Sequence, residues 1–311
     1  MKTLVLLPLA LVVVHVGASA MSTLSLKPML HIDWERLPDY PAQGPEGNLG
    51  SAGGWVDDTT VLAAFGYAAG GVFTNSTWLL NVASAQKNSW KQAPSAPVTP
   101  RQDVAATKVG DSFFFLGGFS YTSPFTYKDA LRLTPTSIEN KSQGWEWSRL
   151  PDFPHPVDAQ TGMVSIGSKL YVFGGMDYNG KAFYVAHDRY NGTIGLGKRL
   201  YCLDTATDGS AWQRLPDLPS VPRWLSSVSV IRDQIFVIAG ATGSNPQHKI
   251  TTVTDNWRFD TLTHTWTQLS SLPVASGNFN SDAVFMERYI LLIGGYQLGS
   301  RIWGQNRFSK E

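Results

Sequence analysis

A tryptophan-centred segment recurs along the chain and constrains the fold more than any other feature. Three nearly identical copies, each reading Trp-x-Arg-Leu-Pro-Asp-x-Pro, span Trp34–Pro41, Trp147–Pro154 and Trp212–Pro219. Looser copies begin at Trp90 and Trp266. Successive tryptophans lie 54 to 65 residues apart, and such regular spacing predicts one structural unit repeated along the chain.

A second recurring element is an apolar run that ends in a pair of glycines. The full form occurs at Phe113–Gly118, Leu170–Gly175 and Ile290–Gly295. In a fourth copy Ala239 replaces the first glycine, and the earliest copy, which ends at Gly66-Tyr67, is interpreted as having lost the second. Continuous rather than alternating hydrophobicity predicts a strand that is buried on both faces.

Each unit has one strand that ends in the glycine pair and one that begins at the tryptophan, and two more strands are predicted. One precedes the pair, as in Val228–Asp233, and one follows it, as in Arg199–Asp204 and Asn256–Asp260. Four strands in a unit of about 50 residues, with a glycine pair and a downstream tryptophan, resemble kelch repeats over residues 34–311. The resemblance implies an all-β fold, a kelch-type β-propeller with four-stranded blades.

Five repeat units can be counted, and the last is followed only by Tyr296 to Glu311. The segment Arg301–Trp303 is its one candidate third strand. The resemblance implies that the N-terminal strand with Trp34 closes the ring by joining the last blade. Either Trp34 completes a five-bladed ring, or the chain stops short of a sixth blade. The second outcome is preferred, because kelch propellers more often have six or seven blades.

The first 20 residues have the pattern of a cleaved signal peptide. Lys2 precedes an apolar run from Leu4 to Val14, and Ala18-Ser19-Ala20 has the small-x-small form of a cleavage site. The run is shorter than the roughly 20 residues that cross a bilayer. We therefore expect a signal peptide at 1–20, a lead-in at 21–33, a propeller at 34–311, and a secreted protein without a membrane span after cleavage.

Three sequons support that compartment, and the single cysteine does not argue strongly against it. The sequons at Asn75, Asn140 and Asn191 predict a glycoprotein. The single cysteine, Cys202, lies in an apolar run and is predicted to be a buried, inert thiol. The net charge is +1 and basic residues form no stripe, so nucleic acid is not expected as a partner.

Functional residues are expected in loops that share one face of the propeller. Because the strands are antiparallel, the loop before each inner strand and the loop after each glycine pair emerge on the same side. Arg, Tyr, Trp and carboxylates in convergent loops suit a carbohydrate or a protein ligand. The ligand-binding candidates are Arg101, Asp158, Tyr178, Arg223, Trp224 and Asn278. Catalytic residues are unassigned, and neither a metal nor a cofactor is predicted.

Three functions are compatible with this pattern. A secreted binding or interaction scaffold needs only the rigid propeller and its variable loops, and it is preferred. A sugar-acid epimerase resembling kelch-type sialate epimerases would need an acid/base pair, for which no base is identified. A copper oxidase resembling galactose oxidase would need metal-ligand spacing that the histidines lack. An enzyme is therefore not favoured, and the fold alone does not choose among these functions.

Overall fold

The computed structural model of the chain describes residues 12–15, 37–41, 48–68, 71–83, 90–137, 144–157, 161–178, 183–184, 196–243, 251–285 and 289–296. These residues form strands and one short 3₁₀ helix at Leu196–Lys198. Within these ranges no helix has the length and apolar character needed to cross a membrane.

The described strands form five larger sheets, here called A to E in chain order, and two small hairpins. Strand β1 (Val12–His15) belongs to sheet E. Sheet A contains the next five strands, which are β2 (Asn48–Leu49), β3 (Ala52–Trp55), β4 (Thr60–Ala68), β5 (Val72–Asn81) and β6 (Lys91–Ala93). Both β2 and β3 pair with β4, and the order continues through β5 to β6.

Sheets B and C each contain four antiparallel strands. Sheet B consists of β7 (Ala105–Val109), β8 (Ser112–Leu116), β9 (Ala130–Pro135) and β10 (Trp145–Arg149). Sheet C consists of β11 (Thr161–Ile166), β12 (Lys169–Gly174), β15 (Leu200–Asp204) and β16 (Gln213–Leu215). The connection from β12 to β15 contains a small hairpin of β13 (Asp177–Tyr178) and β14 (Phe183–Tyr184).

Sheet D repeats the same plan, and sheet E differs from it. Sheet D consists of β17 (Ser227–Ile231), β18 (Gln234–Ile238), β21 (Asn256–Asp260) and β22 (Thr265–Leu269), with a small hairpin of β19 (Ala241–Thr242) and β20 (Thr251–Thr252). Sheet E pairs β23 (Gly277–Phe285) with β24 (Tyr289–Tyr296), and β1 pairs with the other edge of β24. The four-stranded sheets confirm the predicted blade.

The first strands of neighbouring sheets contact one another in chain order. Strand β3 contacts β7, β7 contacts β11, β11 contacts β17, and β17 contacts β23. Closure of the ring and the number of blades stay predictions. Trp34 and Arg301–Trp303, the candidate strands for completing sheet E, lie outside the described residues. Within the predicted signal peptide, β1 occupies the position that a third strand holds in sheets B to D.

Hydrogen bonds between successive units explain the recurring tryptophan and proline. The indole nitrogens of Trp90, Trp147, Trp212 and Trp266 each donate to the proline carbonyl of the preceding unit, at Pro38, Pro94, Pro151 and Pro216. These N–O distances are 2.7 to 3.2 Å. Because every such proline lies four residues after the tryptophan of its own unit, one repeated segment both donates and accepts. The tryptophan and the proline therefore recur together because each unit needs both to bond to its neighbours.

The glycine pair holds the chain where adjacent blades meet. A Cβ on Gly117 would lie 2.3 Å from the carbonyl oxygen of Val157 in the next unit, and its φ of 69° is left-handed. In sheet A the equivalent first position is Phe65, with φ 62°. Gly66 donates to the Arg101 carbonyl, just as Gly118 donates to that of Val157. The interpretation that sheet A lost its second glycine is therefore wrong, because the first one is replaced.

The core lies between neighbouring sheets and is apolar. The first cluster joins sheets A and B, the second joins B and C, the third joins C and D, and the fourth joins D and E. Cys202 is free and buried in the third cluster, and burial raises the pKa of its thiol. The predicted burial of this cysteine is confirmed, and the raised pKa keeps it protonated at neutral pH.

Candidate functional site

The top face is defined here as the end of the sheets where first strands begin and second strands finish. Two arginines predicted as ligand contacts lie there, and both are buried, with 2% of Arg101 and 0% of Arg223 exposed. Arg101 donates to the carbonyls of Thr99 and Gly117 and forms a 2.7 Å ion pair with Asp129. Its guanidinium also lies 3.5 Å from the centre of the Tyr127 ring. Arg101 therefore ties the entering loop to the second and third strands of sheet B.

Arg223 makes an equivalent set of bonds in sheet D. It donates to the carbonyls of Val221 and Ala239 and pairs with Asp255 at 2.8 Å. Burial alone would raise the pKa of the Asp255 carboxyl, but hydrogen bonds from Arg223, Trp257 and Ser220 lower that pKa to about 2. The pKa of Asp129 is lowered in the same way by Arg101 and Arg149. Both arginines thus have an internal role, and ligand contact by either stays a prediction.

Sheet C departs from this arrangement. Val157 occupies the position of the buried arginine, since its amide bonds to the preceding unit and its carbonyl accepts from Gly118. The position of Asp129 and Asp255 is held by Arg199, whose carbonyl accepts from Gly174. Arg199 lies 2.8 Å from Nε2 of His155, which also lies 3.1 Å from the hydroxyl of Tyr201. A donating guanidinium requires that this imidazole nitrogen act as an acceptor.

Of the other four predicted ligand contacts, Trp224 is the one whose side chain lies within the described residues. Trp224 is buried in an apolar cluster with Met176, Leu225 and Ala241. Asp158 lies outside the described residues. Tyr178 lies in β13 and Asn278 in β23, and the side chains of both lie outside the description. The contacts proposed for these residues stay predictions.

Asn75, the first sequon, lines a cleft on the top face between sheets A and B. Its side-chain amide donates to the carbonyls of Ala96 and Val98, at 2.8 and 3.1 Å. The cleft has a volume of about 570 Å³ and is lined by Asn75, Ala96, Pro97, Val98, Thr99, Arg101, Tyr127, Asp129 and Arg149. A glycan on this nitrogen would compete with the two hydrogen bonds. The sequons at Asn140 and Asn191 lie outside the described residues.

Asp103 is a largely buried carboxyl group on the top face. Its backbone has a left-handed φ of 56°, and its amide donates to the Gly50 carbonyl at 2.8 Å. A Cβ on Gly50 would lie 2.4 Å from Oδ1 of Asp103, so this carboxyl packs directly against the Gly50 backbone. Burial raises the pKa of Asp103 to about 6, although the amide of Gln102 donates to Oδ2 at 3.1 Å. This group changes charge close to neutral pH.

Four aromatic rings contact one another and form what we call the aromatic cluster, which consists of Tyr67, Phe73, Phe119 and Tyr121. Tyr121 is 56% exposed, and its ring centre lies 5.2 Å from those of Phe73 and Phe119 and 5.7 Å from that of Tyr67. All three contacts are edge-on, the arrangement favoured by the ring quadrupole. The cluster therefore presents a supported aromatic surface to solvent.

Two short stretches of backbone pairing connect Asp103 to the aromatic cluster. Gln102, next to Asp103, exchanges two backbone hydrogen bonds with Phe119, at 3.0 and 2.9 Å. Leu49, next to Gly50, pairs with Tyr67. Asp103 and Gly50, against which it packs, are thus each next to a residue that pairs with a member of the aromatic cluster. We call Gln102, Asp103 and the aromatic cluster the rim site.

Arg101 was predicted as a ligand contact in this region, whereas Asp103 and the residues of the aromatic cluster were not. One available signal was the comparison of repeats, because Asp103 and Leu225 both lie two residues after a buried arginine. A carboxyl group at a position where another unit has an apolar side chain indicates that the residue does more than support the fold. Within the described ranges, no group of three or more His, Cys, Asp or Glu side chains could hold a metal ion.

Known proteins resemble this chain in short or distant matches. A putative F-box/kelch-repeat protein of Arabidopsis thaliana is 32% identical over 120 residues, which cover 38% of this chain and 25% of the relative. Kelch-like protein terF of Aspergillus terreus is 26% identical over 72% of this chain and 44% of its own length. N-acetylneuraminate epimerase of Yersinia pestis is 29% identical over 94 residues, which cover 30% of this chain and 24% of the enzyme. The chain thus spans less than half the length of these relatives.

The solved structure of YjhT matches the fold with a TM-score of 0.57 and 17% sequence identity, over 78% of this chain and 69% of that one. At this identity the match concerns the fold alone. The family model described as the KLHDC2/KLHL20/DRC7 Kelch-repeats domain matches residues 60–295, which include all of sheets B to D. The recurring tryptophans and glycine pairs, the four-stranded sheets and this match together show that the chain belongs to the kelch-repeat family.

Proposed function

We propose that this protein is a binding module that holds a protein or glycan ligand on its top face, at the rim site. The observation that supports this proposal most directly is the exposed ring of Tyr121, which three other aromatic rings hold in place. One of these, Phe119, is bonded through its backbone to Gln102, the neighbour of the largely buried Asp103. Val72, on the same strand as Phe73, is also exposed. Aromatic side chains fixed next to a few polar groups are typical of energetically dominant contacts in binding sites.

The rest of the structure is suited to supporting such a site. Buried ion pairs and indole hydrogen bonds fix the sheets, and the residues that make them are the repeated ones. Residues that differ between units, such as Asp103 and Tyr121, lie in the connecting loops. Loops on a rigid scaffold carry binding function in many folds. We further propose that binding takes place outside the cytosol, on the basis of the signal-peptide pattern and the sequons.

The proposal is tested by binding of the purified protein to arrays of glycans and of extracellular protein domains. Tyr121→Ala removes the exposed ring without opening the core, and it should weaken binding by at least about tenfold. Leu262→Ala is the matched control, because Leu262 is 77% exposed in the turn between β21 and β22, away from the rim site. If wild type and Tyr121→Ala bind every probe equally, the rim site is not the binding surface.

A sugar-acid epimerase is the second candidate function. Asp103 supports it, because a carboxyl group with a pKa of about 6 is matched to proton transfer near neutral pH. Proteins named N-acetylneuraminate epimerase are also among the relatives. The test is proton NMR of N-acetylneuraminate with catalytic amounts of protein, comparing wild type with Asp103→Asn. Anomer exchange no faster than in buffer would remove this candidate.

A further inference from the structure

The rim site has a fixed apolar platform with one accessible ring. Phe73, Phe119 and Tyr67 contact Tyr121 edge-on, with interplanar angles of 67°, 88° and 85°. Phe119 is itself nearly fully buried, and its backbone is bonded to Gln102. A ring supported on several sides loses little conformational entropy when a ligand stacks on it. The platform therefore suits a flat, partly apolar ligand face rather than a long side chain that needs a deep pocket.

Backbone pairing of Gln102 with Phe119 joins this platform to two polar side chains, the amide of Gln102 and the carboxyl of the adjacent Asp103. Asp103 accepts one hydrogen bond from Gln102 at Oδ2, and an ionised carboxylate has lone pairs for further donors. An amide offers both donors and acceptors. This pair is therefore complementary to neighbouring hydroxyl groups, which can donate to the carboxylate and accept from an amide.

The charges near the rim site disfavour an anionic ligand. Asp103 is the charged side chain of the site, and the adjacent guanidinium of Arg101 is already bonded to Asp129 and to the Gly117 carbonyl. A second carboxylate placed next to Asp103 would lose solvation and gain repulsion. A neutral ligand with several hydroxyl groups meets neither penalty.

From this juxtaposition we propose that the rim site binds a neutral pyranose sugar, whose apolar face stacks on Tyr121 while its hydroxyl groups bond to Asp103 and Gln102. The inference rests on the proposed function and specifies its ligand class. It also distinguishes this surface from a site for a sugar acid. The adjoining cleft at Asn75 and Arg149 lies next to the same inter-sheet seam and has room for a second sugar residue of a longer glycan.

The test uses titration calorimetry of the intact protein with methyl glycosides of glucose, galactose, mannose and N-acetylglucosamine, and with N-acetylneuraminate. We expect binding of at least one neutral glycoside. Tyr121→Phe should keep most of that binding because the ring remains, whereas Tyr121→Ala should weaken it by at least about tenfold. Asp103→Asn should weaken it about fivefold or more, because a charged acceptor is replaced by a neutral one. Leu262→Ala should bind as wild type does.

Three outcomes overturn this inference. The first is tighter binding of N-acetylneuraminate than of every neutral glycoside, and the second is glycoside binding that Tyr121→Ala leaves unchanged. The third is binding of no sugar together with Tyr121-dependent binding of a protein domain on the array, which would leave the proposed function intact. If no probe of either kind binds in a Tyr121-dependent manner, the proposed function fails as well. Circular dichroism of each variant excludes misfolding as the cause.

Discussion

Sheets B and D show how one backbone supports two different side chains. Each has a buried arginine, Arg101 or Arg223, and two residues later a residue with a left-handed φ of 56°. In sheet D that residue is Leu225, buried in an apolar cluster. In sheet B it is Asp103, a carboxyl with a raised pKa. The arginine is thus part of the framework that both sheets share. The position two residues later differs between the sheets and has an ionisable side chain in sheet B.

The largest expected effect is the loss of either buried arginine. Arg223→Met removes the ionic partner of the partly buried Asp255 carboxylate, which costs about 3–5 kcal/mol of unfolding free energy. Arg101→Met should cost somewhat less, because Asp129 keeps its ion pair with the exposed Arg149. Urea denaturation followed by circular dichroism measures this loss. The control is Arg214→Met, since Arg214 and Asp217 form an exposed pair worth less than about 1 kcal/mol. Equal losses in all three variants would refute a shared framework role.

Exchanging the distinguishing residue comes next. Leu225→Asp places a carboxyl in the apolar cluster around Met176 and Trp224, and it should reduce the unfolding free energy by about 2–4 kcal/mol at pH 7. The same urea denaturation measures the change. Leu225→Ala is the control for lost packing, and the carboxyl variant should be the less stable of the two. If Leu225→Asp is as stable as wild type, the two positions do not differ in burial as described.

A smaller effect is expected from removing the charge of Asp103. Its folded-state pKa of about 6 lies above the ordinary 3.8, so the folded protein holds this proton more tightly. The stability contributed by this group is full below pH 4 and falls as the pH rises to 6. Asp103→Asn should therefore be more stable than wild type at pH 8 by about 1–3 kcal/mol and equally stable at pH 4. Thermal unfolding across this pH range measures the difference.

Asp255 provides the opposite case, because its pKa is lowered to about 2. Its contribution to stability is present above pH 4 and is lost as the pH falls through 2. The stability of an Asp103→Asn variant should still fall as the pH is lowered towards 2, but it should no longer decline between pH 4 and 6. A wild-type profile that is flat between pH 4 and 6 would contradict the burial described for Asp103.

The smallest effect concerns the indole hydrogen bonds that both sheets share. Trp147→Phe and Trp266→Phe keep an aromatic ring but remove the donor to Pro94 or Pro216, which should cost about 0.5–1.5 kcal/mol each. Differential scanning calorimetry measures the shift in Tm. Trp34→Phe extends the comparison to ring closure, since a closing strand should make Trp34 as sensitive as the other two. No effect at Trp34, with the expected effects at the others, would count against closure by that strand.

The repeats predicted the framework well, because each framework residue serves the same purpose in several units. The inner strands, the indole packing and the burial of Cys202 all follow from patterns that recur. The repeats did not predict that sheet A replaces the first glycine of the pair instead of the second. Phe65 takes that first position with a left-handed φ, a conformation expected for glycine. The next residue, Gly66, donates its amide to the Arg101 carbonyl, and this tertiary contact holds the turn at Phe65.

The candidate site was harder to predict for a related reason. Arg101 and Arg223 were chosen as ligand contacts because arginine in a loop is usually exposed, yet both are buried by carbonyls and carboxylates from distant strands. Asp103 was passed over because its raised pKa depends on the close approach of Gly50, more than 50 residues earlier. Such long-range contacts are not encoded in local spacing.

The tryptophan-to-proline hydrogen bonds have a consequence for how the molecule comes apart. Every such bond joins one unit only to its predecessor, so stability should depend on nearest neighbours along the chain. Opening would then spread from an end unit inward instead of occurring everywhere at once. Strands β12 and β15 belong to sheet C, which packs between sheets B and D. Their amide hydrogens should exchange more slowly than those of β24 in sheet E, so the middle sheets should be the last to open.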